Sequence, residues 1–138
     1  MIRWMLDNPN DTIQKHLANN RFFEIQDLEF MKQFIDSNTV IIDIGANIGN
    51  HSVYFSKFTD AKTIYVIEPI PRAYKLLLAN IALNYCHNIN SDFIGLALGD
   101  NTGLPKSSPV QTVSGGTNWK LVSCSEYRFT AGIREDYY

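Results

Sequence analysis

"VIIDIGANIGNHSVYF" (residues 40–55) is the stretch on which the reading of this chain turns. Val40–Ile44 is apolar and β-branched except for one acid, Asp43. The run does not alternate, which is the pattern of a strand covered on both faces in a parallel sheet. It breaks at Gly45 and Gly49, and "NHSVYFSKF" then resumes with helical character. Strand, glycine turn and helix make the first βα unit of an open parallel sheet. Ligands of such sheets bind beyond the carboxyl ends of the strands. Gly45 permits a sharp turn there, and Gly49 lets the start of the helix lie close to a ligand.

Working outward, "TIYVI" (residues 63–67) reads as a second strand and ends at Glu68. Pro69 and Pro71 punctuate, and Pro71 suits the first position of the next helix. In that helix Tyr74, Leu77, Leu78, Ile81 and Tyr85 recur at helical spacing and predict a core stripe. "SDFIGLAL" (residues 91–98) is the candidate third strand, closed by a turn at "GDNTG". Upstream, residues 10–36 predict two helices. The first has Asn10 or Asp11 as N-cap, and the second carries an apolar stripe of Ile25, Leu28, Met31 and Ile35.

The alternation of strands and helices predicts an α/β fold, a Rossmann-like parallel sheet with flanking helices. Past residue 100, "GLPKSSPVQTVSGGTN" reads as loop and "WKLVSCSEYRF" as one more strand; "AGIREDYY" shows no recognisable element. The expected organisation is one domain over 1–138. It comprises N-terminal helices (10–36), a ligand-binding core (40–100) and a loop-rich tail (101–138) with room for a β-hairpin. No further βαβ unit follows, so the sheet reads as incomplete in its C-terminal half. Strand one would keep an unpaired apolar edge, an invitation to homo-oligomerise.

The 138 residues make one domain's worth of chain, and 45% hydrophobic with 19% charged residues places it among ordinary globular proteins. A net charge of −2 offers no basic footprint, so no nucleic-acid partner is expected. The amino terminus has no signal-peptide pattern, and no apolar run is long enough to span a bilayer, so a cytoplasmic protein without membrane contact is expected. Cys86 and Cys124 read as free thiols, and His16, His51 and His87 do not cluster, so no metal site is expected.

The ligand is narrowed by charge. A dinucleotide would set a pyrophosphate on the helix N-terminus, where Asp43 would repel it. S-adenosylmethionine carries instead a sulfonium, an amino-acid head and a ribose diol, to which an acid at the strand tip is complementary. Glu68 closes the second strand, and its carboxylate can accept hydrogen bonds from both ribose hydroxyls. Plainer roles stand beside these: Asp43 as a capping acid, Glu68 as a solvated strand end, Asn50 as an N-cap, and Glu24 as a first-turn acid.

"VIIDIGANIGNHSVYFSK", "IYVIEPIPRAYKLLLANIALN" and "LALGD", with "FFE" (residues 22–24) upstream, resemble the class I S-adenosylmethionine-dependent methyltransferases, and within them the FkbM-type family. The resemblance covers residues 10–103. It implies O-methylation of a small metabolite or sugar hydroxyl, with a small-molecule acceptor as partner. Carried over by motif, Gly45, Ala46, Asn47, Gly49 and Asn50 would line the methionine side of the cofactor, and Asp43 would organise it. Glu68, with Pro69 beside it, would hold the ribose, Ala97 and Leu98 would flank adenine, and Glu24 would approach the amino-acid end. No residue is identifiable as a catalytic base. The family's acidic fourth-strand segment has no counterpart here. The alternative is therefore a catalytically inactive, truncated methyltransferase fragment that only binds the cofactor or needs a partner chain.

Overall fold

The computed structural model describes residues 1–99, 119–124 and 129–134. Along the chain run α1 (Thr12–Ala18), α2 (Ile25–Lys32), β1 (Val40–Ile44), α3 (Asn50–Phe58), β2 (Thr63–Ile67), α4 (Pro71–Leu83), β3 (Ile89–Asn90), β4 (Leu96–Gly99), β5 (Trp119–Cys124) and β6 (Phe129–Arg134). β1, β2 and β3 form a parallel sheet in that order, with Val40 level with Thr63 and Ile44 with Ile67. The α/β architecture expected from the strand–helix alternation is what the structure shows.

Local chemistry sets the element ends. Asp11, one of the two candidate caps, accepts a hydrogen bond from the Gln14 amide at 2.9 Å and starts α1. Pro71 occupies the first turn of α4, where its missing N–H costs nothing. The third strand departs from the expected span. The parallel strand is the pair Ile89–Asn90, because the Asn90 side chain then accepts from the Asp92 amide and turns the chain. Leu96–Gly99 instead joins a second, antiparallel sheet of order β4-β6-β5. β5 and β6 pair from Trp119↔Arg134 to Cys124↔Phe129, so residues 131–134, where no element was read, lie in a strand. The stretches 100–118, 125–128 and 135–138, which carry most of the tail, lie outside the described residues.

The core sits on one face of the parallel sheet. Leu28 of α2, Tyr54 and Phe55 of α3, Ile64 and Val66 of β2, and Leu77 of α4 form one buried cluster, with Ala46 of the glycine turn inside it and Ile41 of β1 packed against it. Phe22 adds edge-on ring contacts to Trp4, Tyr54 and Phe58. The opposite face is not covered among the described residues: Val40, Ile42 and Ile44 are 52%, 55% and 62% exposed. The reading of β1 as covered on both faces is thus corrected to one face. The helical stripes need correction too. In α2 only Leu28 is fully buried while Ile25 and Met31 are exposed, and in α4 Leu77 is buried while Leu78 is exposed, as is Tyr85 just past the helix end.

The buried face of α4 is completed by two asparagines one turn apart. Asn80 Oδ1 accepts from the Met5 amide and Nδ2 donates to the Ile48 carbonyl. Asn84 Oδ1 accepts from the Arg3 amide, and its Nδ2 donates to the Arg3 carbonyl. The segment before α1 is extended backbone with no ladder of its own, and these side chains satisfy its buried polar groups. Gln14 does the same further along, accepting from the amides of Asp7 and Asn8. Among the described residues no helix is long and apolar enough to cross a membrane.

Gly45 and Gly49 both adopt left-handed backbone, with φ of +79° and +96°. A Cβ on Gly45 would meet nothing within 4 Å, whereas one on Gly49 would lie 2.8 Å from Leu77 Cδ1. Leu77 is fully buried, so its side chain could move aside only by disturbing the core around it. Gly45→Ala is therefore expected to cost about 1 kcal/mol of stability, from backbone strain alone, and Gly49→Ala about 2–4 kcal/mol, from strain plus overpacking. Urea denaturation of the two variants measures the difference, and equal losses would contradict the packing role assigned to Gly49.

Candidate functional site

The turn after β1 is folded across the tip of β2. The amides of Gly45 and Ala46 both donate to the Ile67 carbonyl, at 2.8 and 3.2 Å. Asn47 follows in left-handed conformation, φ +49°, which aims its own amide at the next strand tip. There it donates to Glu68 Oε2 at 2.9 Å. The other carboxylate oxygen, Oε1, accepts from the Ile70 amide at 2.7 Å, and the Glu68 carbonyl accepts from the Gly95 amide at 2.9 Å. One residue thus fastens three loops, those after β1, after β2 and before β4.

Glu68 is only 4% exposed. Burial pushes its pKa above the ordinary value of 4.5, outweighing the two amides that favour the carboxylate, and the nearby charge of Asp43 adds to the rise. Asp43 is half-buried on the core-facing side of β1 and accepts from Ser52 Oγ in the first turn of α3. The two acids expected on adjoining strand tips are brought together.

The remaining sequence-predicted positions divide. Gly45 is exposed with open space before it, Ala46 is buried in the core, and Asn47 is half-buried. Asn50 spends its amide elsewhere: Oδ1 accepts from the Phe23 amide and Nδ2 donates to the Phe23 carbonyl, both at 2.9 Å. That pair binds the "FFE" segment to the start of α3. Glu24 precedes α2 in left-handed conformation without capping it, and its Oε2 lies 3.1 Å from His51 Nε2 on α3. Pro69 is half-buried beside Glu68. Ala97 and Leu98 are half-buried on β4, opposite Gly132 and Ala131. The Gly95–Glu68 bond ties the start of this strand to the glycine turn.

The chemistry of this donor set suits S-adenosylmethionine. Two like-charged carboxylates disfavour a phosphate and favour a cationic ligand. Gly45 leaves the backbone open to close approach. Each Glu68 oxygen is used once, so about two of its roughly four acceptor sites remain for a diol. Among the described residues no group of three or more His, Cys, Asp or Glu is placed to hold a metal ion.

A second feature was invisible to the sequence reading. Lys15, His16, Asn19 and Arg21 line an open concavity of about 360 Å³ at the end of α1. A net charge counts cations over the whole chain and says nothing of their grouping. The only hint is "KHLANNR", whose turn at Asn19–Asn20 returns Arg21 to the helix end.

Comparison with known proteins places the chain. The model of the TRM5/TYW2 methyltransferase domain matches residues 15–113. A curated relative from Methanocaldococcus jannaschii, tRNA(Phe) (4-demethylwyosine(37)-C(7)) aminocarboxypropyltransferase, is 34% identical over 65 residues, covering 47% of this chain and 26% of that protein. Methyltransferase sdnD of Sordaria araneosa is 35% identical over 72 residues, covering 52% of this chain and 25% of that protein. The chain therefore spans about a quarter of the length of the curated relatives it matches. Among solved structures, the complex of aTrm5 and tRNALeu aligns over 78% of this chain and 44% of that one, at 16% identity and a TM-score of 0.43.

These findings correct two expectations. The FkbM-type assignment is not supported, because the motifs that suggested it belong to the cofactor half that class I methyltransferases share. The expectation of a small-molecule acceptor and no nucleic acid is overturned by the match to the TRM5/TYW2 family model and by a curated relative named for a nucleoside of tRNA(Phe). Matched over residues 15–113, the chain belongs to the TRM5/TYW2 methyltransferase domain family, a class I S-adenosylmethionine methyltransferase family.

Proposed function

We propose that this chain forms the cofactor-binding part of a transferase that methylates a tRNA nucleoside. The observation that carries the reading is that Asp43 and Glu68 stand at the tips of adjoining strands beside the open turn at Gly45, whose Asn47 amide Glu68 accepts. When bound, S-adenosylmethionine supplies an electrophilic methyl carbon on a sulfonium. The protein's own contribution is to bind and orient. Gly45, Ala46 and Asn47 offer backbone to the methionine side, and Asp43, steadied by Ser52, sets a negative field there. Gly49 and Asn50 act from behind, the first by close packing on Leu77 and the second by fixing Phe23.

Glu68 would hold the ribose hydroxyls, and Pro69 shapes the turn beside it. Ala97 and Leu98 would flank the adenine. Raised pKa and burial make Glu68 a carboxylate short of hydrogen-bond donors, which two hydroxyls would supply. Methyl transfer then depends on holding the acceptor in line with the carbon, a matter of proximity more than of acid or base.

A second reading, cofactor binding without transfer, is favoured by the exposed face of β1 at Val40, Ile42 and Ile44. Single-turnover incubation with methyl-labelled cofactor and a tRNA transcript separates the two: label in the RNA supports transfer, and bound cofactor with unlabelled RNA supports the second reading.

Titration calorimetry of the chain with S-adenosylmethionine or its demethylated product is expected to show saturable heat. Glu68→Ala should weaken binding by at least about tenfold through loss of a charge-assisted pair of hydrogen bonds. No heat at millimolar ligand would contradict the cofactor assignment.

The pH dependence of stability tests the state of Glu68. Its folded-state pKa lies above 4.5, so folding takes up a proton just above that pH. Its contribution is then present in full below 4.5 and is lost as pH rises through the folded-state value. Urea titrations of wild type and Glu68→Gln from pH 4 to 7 should show the wild type losing stability relative to the variant as pH rises. A difference that is flat, or of opposite slope, would contradict the burial argument.

A further inference from the structure

The concavity at the end of α1 has no part in the cofactor site, yet its lining is chemically pointed. Lys15, His16, Asn19 and Arg21 are all exposed. Among the described residues neither Lys15 nor Arg21 forms an ion pair, unlike Arg72, which binds Asp7 at 2.6 Å. Lys15 and His16 lie in the last turn of α1, where the helix dipole favours cations. Arg21 lies beyond the helix in sequence and is brought back to the same end by the turn that follows. The turn that returns it is a common helix C-cap: the Asn19 and Arg21 amides both donate to the His16 carbonyl at 3.0 Å, the Asn20 amide donates to the Leu17 carbonyl, and Asn20 takes left-handed backbone, φ +55°.

The wall of this concavity is coupled to the glycine turn. His16 packs edge-on against Phe23, with ring centroids 5.3 Å apart. Phe23 is the residue whose amide and carbonyl are both held by Asn50, next to Gly49. His16 Nδ1 is engaged by the Thr12 carbonyl at 2.8 Å, which fixes the ring in place. Unpaired cations beside a flat ring, open to solvent, are the elements with which proteins grip a phosphate backbone and stack a base.

We propose that Lys15 and Arg21, with the exposed His16 ring in the same concavity, form a phosphate-backbone contact for the RNA substrate, an inference that rests on the function proposed above. The test is fluorescence anisotropy of a labelled tRNA transcript with the full chain at stepped salt concentrations, for wild type, Lys15→Ala/Arg21→Ala and the charge-conserving Lys15→Arg/Arg21→Lys. The alanine pair is expected to bind about tenfold more weakly at low salt, with the slope of log K against log salt smaller by about 1.5–2. Its cofactor heat and unfolding midpoint should match wild type, and the conserving pair should retain RNA affinity. Unchanged RNA affinity and slope in the alanine pair would overturn the proposal. Wild type that binds the cofactor but not tRNA at low salt would overturn it and leave the cofactor reading standing. Wild type that binds tRNA through these residues without cofactor heat would do the reverse. Sedimentation with phosphatidylserine vesicles that depends on Lys15 and Arg21, without tRNA binding, would overturn it in favour of a membrane surface.

Discussion

The site depends on one buried carboxylate. Glu68 accepts the Asn47 amide on one oxygen and the Ile70 amide on the other, and its carbonyl takes the Gly95 amide. Three loops that share no secondary structure are thereby held at one point beyond the sheet. Each charge-assisted bond is worth about 1.5–3 kcal/mol, and burying the charge costs several kcal/mol in return. The upward pKa shift says that here the cost of burial outweighs the two bonds. A carboxylate left in that state is under-solvated, and added donors from a ligand would repay more than they would at the surface.

The glycine turn that Glu68 holds from the front is braced from behind. Asn80 reaches from α4 to the Ile48 carbonyl, and Leu77 from the same helix fills the space that a side chain on Gly49 would need. Asn80 and Asn84 also hold the extended segment around Arg3 and Met5. Asn50 adds a third brace by fixing Phe23. The turn is therefore pre-shaped by helices α3 and α4, with its exposed backbone at Gly45 the part left free.

Much of this was legible in the sequence. Non-alternating β-branched runs located β1 and β2, and the helix after the glycines was bounded correctly, because such runs, glycines and Pro71 act locally. Asp43 and Glu68 were found because acids are conspicuous at the ends of apolar runs. What escaped depends on distant contacts. The asparagines of "NIALN" read as a family motif, but their work is to satisfy backbone some 75–81 residues away. The stripe of α4 was misread because Asn80 and Asn84, both buried, share the inner face with Leu77, which an apolar count cannot see. The third strand was misplaced because a two-residue strand carries almost no periodic signal. The grouping of Lys15, His16 and Arg21 depends on a chain reversal, and the overall charge of −2 concealed it.

The most direct test of the central claim is amide hydrogen exchange, read residue by residue by NMR, in wild type and Glu68→Ala. The account predicts that Asn47, Ile70 and Gly95 are protected in the wild type. In the variant Asn47 and Ile70 should lose protection together while the amides of β2 keep theirs. If Asn47 and Ile70 exchange freely in the wild type, or remain equally protected without the carboxylate, Glu68 is not what holds the three loops together.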